Sequence, residues 1–236
     1  KPSEYISFLD GLTITGGHAD GAGMYQSSGA GIFQGNTGAL VLSNCTVIDN
    51  NADDYGGGVY TNNNLTMFLN CRIEHNKSVQ GGGIFATGSI ISIDQSVIVG
   101  NQATTFDFVF GVYGGGLHSD GGTLNITDSE FRDNSAWYGV GLIEQGTGGA
   151  IYAKECDTTI SRTSFEENSA ISGGAIFFND ISFSQIALIN HCSFERNSIF
   201  YNMNWTGTGA AALQQNGTSC VTNVVNCLFA GNDGEG

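Results

Sequence analysis

Apolar residues recur along the chain at two linked positions, and each pair of positions marks one repeat. The first is an aliphatic residue after a run of glycine and other small residues, such as Ile151 in the stretch GGAIY that starts at Gly148. The second is an apolar residue three places before an asparagine, such as Phe165 before Asn168. The distance between them is 14 residues in four repeats and 15 to 18 in the other three. A spacing this regular over seven repeats is typical of a solenoid.

Each repeat also contains a strand pattern. Counting back five residues from the second position gives a column of apolar residues, and alternation around it, as in Leu124, Asn125 and Ile126, indicates strands with one buried face. The column comprises Leu9, Leu42, Phe68, Ile93, Ile126, Ile160, Ile189 and Val224. Three short strands per repeat predict an all-β fold, a right-handed parallel β-helix (a solenoid) of about seven to eight coils. We interpret residues 1–236 as a single β-helix domain and as a fragment of a longer chain.

The polar landmarks of the repeat have a structural explanation. We expect the recurring asparagine to lie at a corner, to adopt left-handed backbone angles, and to form hydrogen bonds with the same residue in the next coil. The paired glycines suit a corner where φ is positive or where another backbone segment comes close. These residues are therefore interpreted as parts of the scaffold.

The repeat motifs resemble those of a known family. GGAIY at Gly148 and GGAIF at Gly173, together with FRDN, FEEN, FERN and FAGN, are similar to the paired motifs of chlamydial polymorphic outer-membrane protein passengers and related extracellular β-helix adhesins. The resemblance implies a secreted or cell-surface β-helix with an adhesive role. It implies no catalytic residue.

Four repeats carry insertions at the same corner. The gap from the second position to the next first position is 18 to 20 residues in four cases and 11 or 12 in the other three. Because coils stack in register, these insertions should project from one side of the rod. They contain the aromatic residues Phe106, Phe108, Tyr113, Trp137, Tyr138, Phe200, Tyr201 and Trp205. The outward position beside them holds Phe33, Tyr60, Phe85, His118, Tyr152, Phe177 and Gln214.

Two interpretations of this aromatic stripe stay open. Either the loops fold over the stripe and bury it, or stripe and loops together form an exposed binding face. The loop sequence FDFVFGVYG is unusually apolar for a carbohydrate cleft, so we favour protein partners, either other extracellular proteins or copies of the same chain. Glycans are a second class of ligand.

Cysteine usage also suggests an extracellular protein. Cys45 and Cys71 occupy one column on adjacent coils, as do Cys192 and Cys227, so each pair is a disulfide candidate by its expected Cα separation. The alternative is a column of buried thiols. Among six N-x-S/T sequences, Asn204 and Asn216 are the candidate glycosylation sites because we expect both on loops.

Charge limits the possible ligands. The net charge is −15 with only seven Lys and Arg residues, which disfavours nucleic acid and anionic glycans. No stretch is apolar enough to span a membrane, and no cofactor is expected. A calcium ion held by Asp157, Glu155 and either Asp128 or Asp133 is an alternative, although the spacing selects no site. The four histidines fall in different phases and form no ligand set.

These observations favour a non-catalytic structural or adhesive β-helix, for example a subunit of a cell-surface fibre or appendage. The alternative is a carbohydrate-active β-helix, such as a polysaccharide lyase, hydrolase or epimerase, or a glycan-binding module. A lyase needs a basic residue as the base and a cation beside the uronate. Here the basic residues, among them Arg132 and Arg162, lie in different columns.

Overall fold

The computed structural model describes residues 5–22, 26–35, 38–105, 111–140, 143–179, 186–200, 209–217 and 221–233. Within these ranges the regular elements are thirty β-strands, and there is no helix. The strands form three parallel sheets, which we name A, B and C, and one antiparallel hairpin. One coil of the chain passes through sheet A, then sheet B, then sheet C. The fold is a right-handed parallel β-helix, as the sequence predicts.

Sheet A contains thirteen of the described strands and is bent within each coil. Two of its strands, Ile84–Asp94 and Leu117–Thr127, continue through the bend. In the other coils the bend separates two shorter strands. The strands before the bend are Ile32–Gln34, Val59–Asn62, Ile151–Lys154, Ile176–Asn179 and Leu213–Asn216, and those after it are Ile6–Asp10, Ala39–Ser43, Leu65–Leu69, Asp157–Ser161, Ile186–Asn190 and Val221–Val225.

Sheets B and C have shorter strands. The eight described strands of sheet B are Thr13–Thr15, Thr46–Ile48, Arg72–Glu74, Val97–Val99, Glu130–Arg132, Ser164–Glu166, Ser193–Glu195 and Leu228–Ala230. The seven of sheet C are His18–Ala19, Asn51–Ala52, Lys77–Ser78, Gln102–Ala103, Ser135–Ala136, Ser169–Ala170 and Ser198–Ile199. The hairpin, Tyr138–Val140 with Ile143–Gln145, belongs to one of the insertions. The insertions lie between sheet C and the next glycine corner.

The interior consists of apolar columns paired in register. In sheet A, Leu42 lies opposite Phe68, and Phe68 lies opposite Ile93, which confirms the column predicted from the sequence. In sheet B the apolar residue of each repeat points inward. The rings of Phe131 and Phe165 stack at 5.3 Å, and those of Phe165 and Phe194 at 4.9 Å. Each fully buried phenylalanine contributes about 1.5–3 kcal/mol through the removal of its surface from water.

The repeated asparagines form a continuous hydrogen-bonded ladder. Asn76 Oδ1 accepts the backbone N–H of Asn50 at 3.1 Å and its Nδ2–H at 3.0 Å. Asn76 Nδ2 in turn donates to the carbonyl oxygen of Val47 at 2.9 Å. The same contacts recur through the asparagine ladder, which comprises Asn50, Asn76, Asn101, Asn134, Asn168, Asn197 and Asn232. The predicted role of these side chains is confirmed.

One detail of that prediction was wrong. The left-handed residue at this corner is the one before the asparagine, as at Asp133, Glu167 and Arg196, whose φ values are 54°, 56° and 52°. The left-handed residue turns the chain, and the asparagine that follows points its side chain into the corner. The side chain can therefore satisfy buried backbone groups on two coils.

The paired glycines show both expected features, a positive φ and a close backbone contact, at successive positions. The first glycine has positive φ, for example 68° at Gly148 and 62° at Gly173. The second lies against the backbone of another coil, because a Cβ at Gly149 would be 2.1 Å from the carbonyl oxygen of Gly174. The third position has more room and holds alanine at Ala150 and Ala175.

Candidate functional site

The aromatic stripe on the outside of sheet A is covered. Its members pair in register from Phe33 to Gln214, yet Tyr60, Phe85, Tyr152 and Phe177 are only 4 to 8% exposed. Phe33, towards one end of the stripe, keeps a larger exposed fraction. The prediction that these four residues form an exposed binding face was therefore wrong, and the alternative of a covered stripe applies to them.

Two covering side chains, those of Tyr55 and Tyr113, come from the residue just before a glycine corner. Both residues belong to a column of parallel bridges. The ring of Tyr55 lies 4.7 Å from that of Phe85, and the ring of Tyr113 lies 4.6 Å from that of Tyr152. Because the next glycine turns the chain back along sheet A, the residue before it packs over the stripe. Tyr113 is thus a packing residue in this structure.

Two insertion residues do expose apolar surface. Trp137 and Phe200 are 43% and 39% exposed, and their rings meet edge to face at 6.5 Å. Each directly follows a strand of sheet C and is held by its backbone, since Trp137 N–H donates to the carbonyl of Ala103 and Phe200 N–H to that of Ala170. We call this pair the Trp137–Phe200 patch.

Of the other predicted loop residues, one is buried in the structure. Tyr138 is buried and packs in a small cluster with Ala103, Val112, Ala136 and Ala170. The expectation that Tyr138 is available to a partner was wrong, because its ring fills the space between the insertion and sheet C. Phe106, Phe108, Tyr201 and Trp205 lie outside the described residues.

Sequence reasoning missed a second exposed apolar surface. The outward face of sheet A beyond its bend carries Ile6, Phe8, Leu65 and Ile90, all exposed, with Met67 partly exposed beside them. The pattern that could have revealed it is the presence of apolar residues on both sides of the interior column, where alternation normally places polar residues. We call these residues the sheet A face.

The predicted disulfides are absent, because Cys45, Cys71, Cys192 and Cys227 are free thiols. In-register parallel strands keep equivalent Cβ atoms about 4.8 Å apart, whereas a disulfide requires about 3.5–4.5 Å. The prediction considered only the Cα separation, which both arrangements satisfy. Burial raises the pKa of the Cys71 and Cys192 thiols, which also makes them less reactive.

These cysteines belong to a second ladder. Their column continues through Ser96, Ser129 and Thr163, and each hydroxyl or thiol donates to the carbonyl two residues earlier. Ser96 Oγ also accepts the N–H of Cys71 at 2.9 Å, and Cys227 Sγ accepts the N–H of Cys192 at 3.4 Å. The cysteines therefore act as hydrogen-bonding corner residues.

Several charged side chains on the outside of the rod form ion pairs. Arg162 donates to both carboxylate oxygens of Asp128 at 2.6 and 2.8 Å, which lowers the pKa of that carboxyl group. Arg132 pairs with Glu130 at 2.7 Å. A shallow groove of about 500 Å³ runs past Asp128, Arg162 and residues of the next two coils.

The described residues bring together no group of three or more His, Cys, Asp or Glu side chains that could hold a metal ion. The carboxylates of Asp128, Asp133, Glu155 and Asp157 are thus not gathered into one calcium site. Of the two glycosylation candidates, Asn216 is exposed at the end of its strand, and Asn204 lies outside the described residues.

The fold and its ladders define a class of protein, the right-handed parallel β-helices. The chain belongs to the right handed beta helix region family, whose model matches residues 9–150. The model of the Chlamydia polymorphic membrane protein repeat matches residues 162–179, which supports a β-helix associated with a cell surface. No curated protein and no solved structure matches the chain significantly. In the described part of the chain, no helix has the length and apolar character needed to cross a membrane.

Proposed function

We propose that the chain is a non-catalytic extracellular β-helix that binds another protein through the Trp137–Phe200 patch. The observation that carries this proposal is the pair of large aromatic side chains, which remain exposed while four residues of the neighbouring stripe are buried. Exposed aromatic rings on a rigid scaffold are suited to the centre of a protein interface. The partner is another cell-surface protein or a second copy of the chain, as in a fibre.

The rigidity of the patch supports this role. Both residues continue directly from sheet C, and their backbone hydrogen bonds to Ala103 and Ala170 are 3.0 and 2.8 Å long. A binding partner would therefore pay little conformational entropy to order them. The family match to a surface protein repeat is consistent with a site that faces other proteins.

The test compares the double variant Trp137→Ser, Phe200→Ser with Ile90→Ser, whose residue is similarly exposed on the sheet A face. Thermal melts should show a cost of about 1–2 kcal/mol for each replaced side chain, because each is about half buried. Sedimentation velocity over a concentration series then measures self-association. Cross-linking through benzoylphenylalanine at position 137 or 90, in an extract of the native cell surface, identifies any other protein partner.

We expect self-association, or binding of the protein captured at position 137, to weaken at least 30-fold in the double variant and to be unchanged in Ile90→Ser. The proposal fails if the double variant lowers only the melting temperature, or if positions 137 and 90 capture the same proteins equally. A different result would indicate a glycan ligand: no protein partner is found, wild type binds to a neutral glycan array, and the double variant does not.

A further inference from the structure

The aromatic stripe contains one histidine, a residue type whose ordinary pKa lies near neutral pH. His118 lies between Phe85 and Tyr152 in register, with ring centroids 4.7 and 4.8 Å away, and the ring of Tyr113 meets it edge-on at 5.8 Å. The side chain is buried. Neither Nδ1 nor Nε2 has a hydrogen-bond partner.

This environment is unfavourable for an imidazole. A buried polar atom without a partner costs stability, and the neutral ring has both a donor and an acceptor to satisfy. The equivalent position on other coils holds Phe33, Phe85 or Phe177, so a purely apolar ring fits the stripe. Packing alone therefore gives no reason for histidine at position 118.

The charged neighbours disfavour protonation further. Lys154 lies on the adjacent strand, with its ammonium held by Asp120 at 3.0 and 3.2 Å. Burial, together with the charge of Lys154, lowers the pKa of His118 from 6.5 to about 3. Tyr152, on the adjacent strand, is neutral, since burial raises its pKa to about 12. The one neighbouring carboxylate on the same strand, Asp120, is already paired with Lys154.

We propose that His118 is an acid-sensitive switch, whose protonation displaces the segment that carries Tyr113 and uncovers the part of the aromatic stripe formed by His118 and Tyr152. A proton on the ring is accommodated only if the ring reaches water, and Tyr113 is the covering side chain that contacts both His118 and Tyr152. Opening would expose the rings of His118 and Tyr152, the two that Tyr113 contacts, to a ligand. This inference does not depend on the Trp137–Phe200 patch.

The sign of the effect follows from the two states. In the open state the imidazole has its ordinary pKa of about 6.5, whereas the closed state resists protonation. Closing is therefore unaffected by pH above about 6.5. Below that value, the ratio of closed to open molecules should fall about tenfold for each unit by which the pH decreases.

The test is hydrogen exchange measured by mass spectrometry between pH 7 and pH 4.5, after correction for the intrinsic pH dependence of exchange. Wild type should lose protection in the peptide that covers residues 111–120, by about tenfold per pH unit below 6.5, while residues 89–99 stay protected. His118→Phe, which keeps the packing of the stripe, should show no such loss. An apolar dye should bind to wild type at low pH and not to the variant.

Two results would overturn the inference: an equal loss of protection in His118→Phe, or a simultaneous loss in all peptides of the wild type, which would indicate global unfolding. If His118→Phe does not fold, His118→Gln provides the same comparison, because Gln214 stands at this position in the stripe and does not titrate. Protection that stays constant down to pH 4.5 in wild type would also refute the switch.

Discussion

Replacing Asn134 by alanine should show how much the asparagine ladder stabilises the fold. Its Oδ1 accepts the backbone N–H and the Nδ2–H of Asn101, both at 3.1 Å, and its Nδ2 donates to the carbonyl of Ile98 at 2.9 Å and to Asn168 Oδ1 at 3.0 Å. Alanine removes all four hydrogen bonds at a site with no exposed surface.

The magnitude follows from what remains buried. Asn101 Nδ2 keeps bonds to Ile73 and Val99, and Asn168 Oδ1 still accepts the N–H of residue 134. The N–H of Asn101 loses its side-chain acceptor, and an orphaned buried donor costs about 1–3 kcal/mol. With the small cavity added, we expect Asn134→Ala to lower the free energy of unfolding by about 2–4 kcal/mol.

Urea unfolding followed by far-ultraviolet circular dichroism measures this loss. Asn125→Ala is the matched control, because Asn125 is exposed on the same coil and its replacement should cost less than about 0.5 kcal/mol. Two similar values for the two variants would refute the structural role of the ladder.

An aspartate at position 134 adds a second check. The new carboxylate would be buried and would present an oxygen to Ile98 O and Asn168 Oδ1, so its pKa should be raised in the folded state. At pH 7, Asn134→Asp should therefore be less stable than Asn134→Ala. As the pH falls towards 4 and the carboxylate is protonated, the stability of Asn134→Asp, measured relative to wild type at each pH, should rise towards that of Asn134→Ala.

Other predictions concern the corners. Gly149→Ala should lower the free energy of unfolding in urea by about 3 kcal/mol or more, because its Cβ would lie 2.1 Å from the carbonyl oxygen of Gly174. The control, Ala150→Gly, should lower it by about 1 kcal/mol. Equal losses in the two variants would contradict the close approach. Gln95→Asn should raise the melting temperature by about 1–3 °C, because Gln95 has φ of 48° and asparagine tolerates the left-handed region better. The reverse change in the same column, Asn70→Gln, should lower the melting temperature by a similar amount. A higher melting temperature for Asn70→Gln would count against this explanation.

Much of the fold could be predicted because it depends on short-range repetition. The register of Leu42, Phe68 and Ile93 follows from alternation, and the ladder follows from an amide that recurs once per coil. The left-handed residue is one position earlier than predicted, because asparagine tolerates left-handed angles but is needed here for its side-chain hydrogen bonds. Residue type does not mark the turning position, since residues as different as Asp133, Glu167 and Arg196 occupy it.

The candidate site could be predicted only in part. The outward direction of Phe85 and Tyr152 follows from alternation, but their burial depends on the path taken by Tyr55 and Tyr113 from the coils beside them. The cysteine columns were located correctly, but the strand spacing that brings the Cα atoms within reach keeps equivalent Cβ atoms too far apart for a disulfide. His118 had no distinctive pattern, since its burial results from three aromatic neighbours on different segments.

The asparagine ladder has a direction along the rod. Each asparagine donates its N–H and Nδ2–H to the oxygen of its successor in the chain, as Asn134 does to Asn168 and Asn168 to Asn197. A coil is therefore complete only once the following coil has formed. During synthesis from the N-terminus, each new turn would therefore supply the acceptors for the donors left by the one before it.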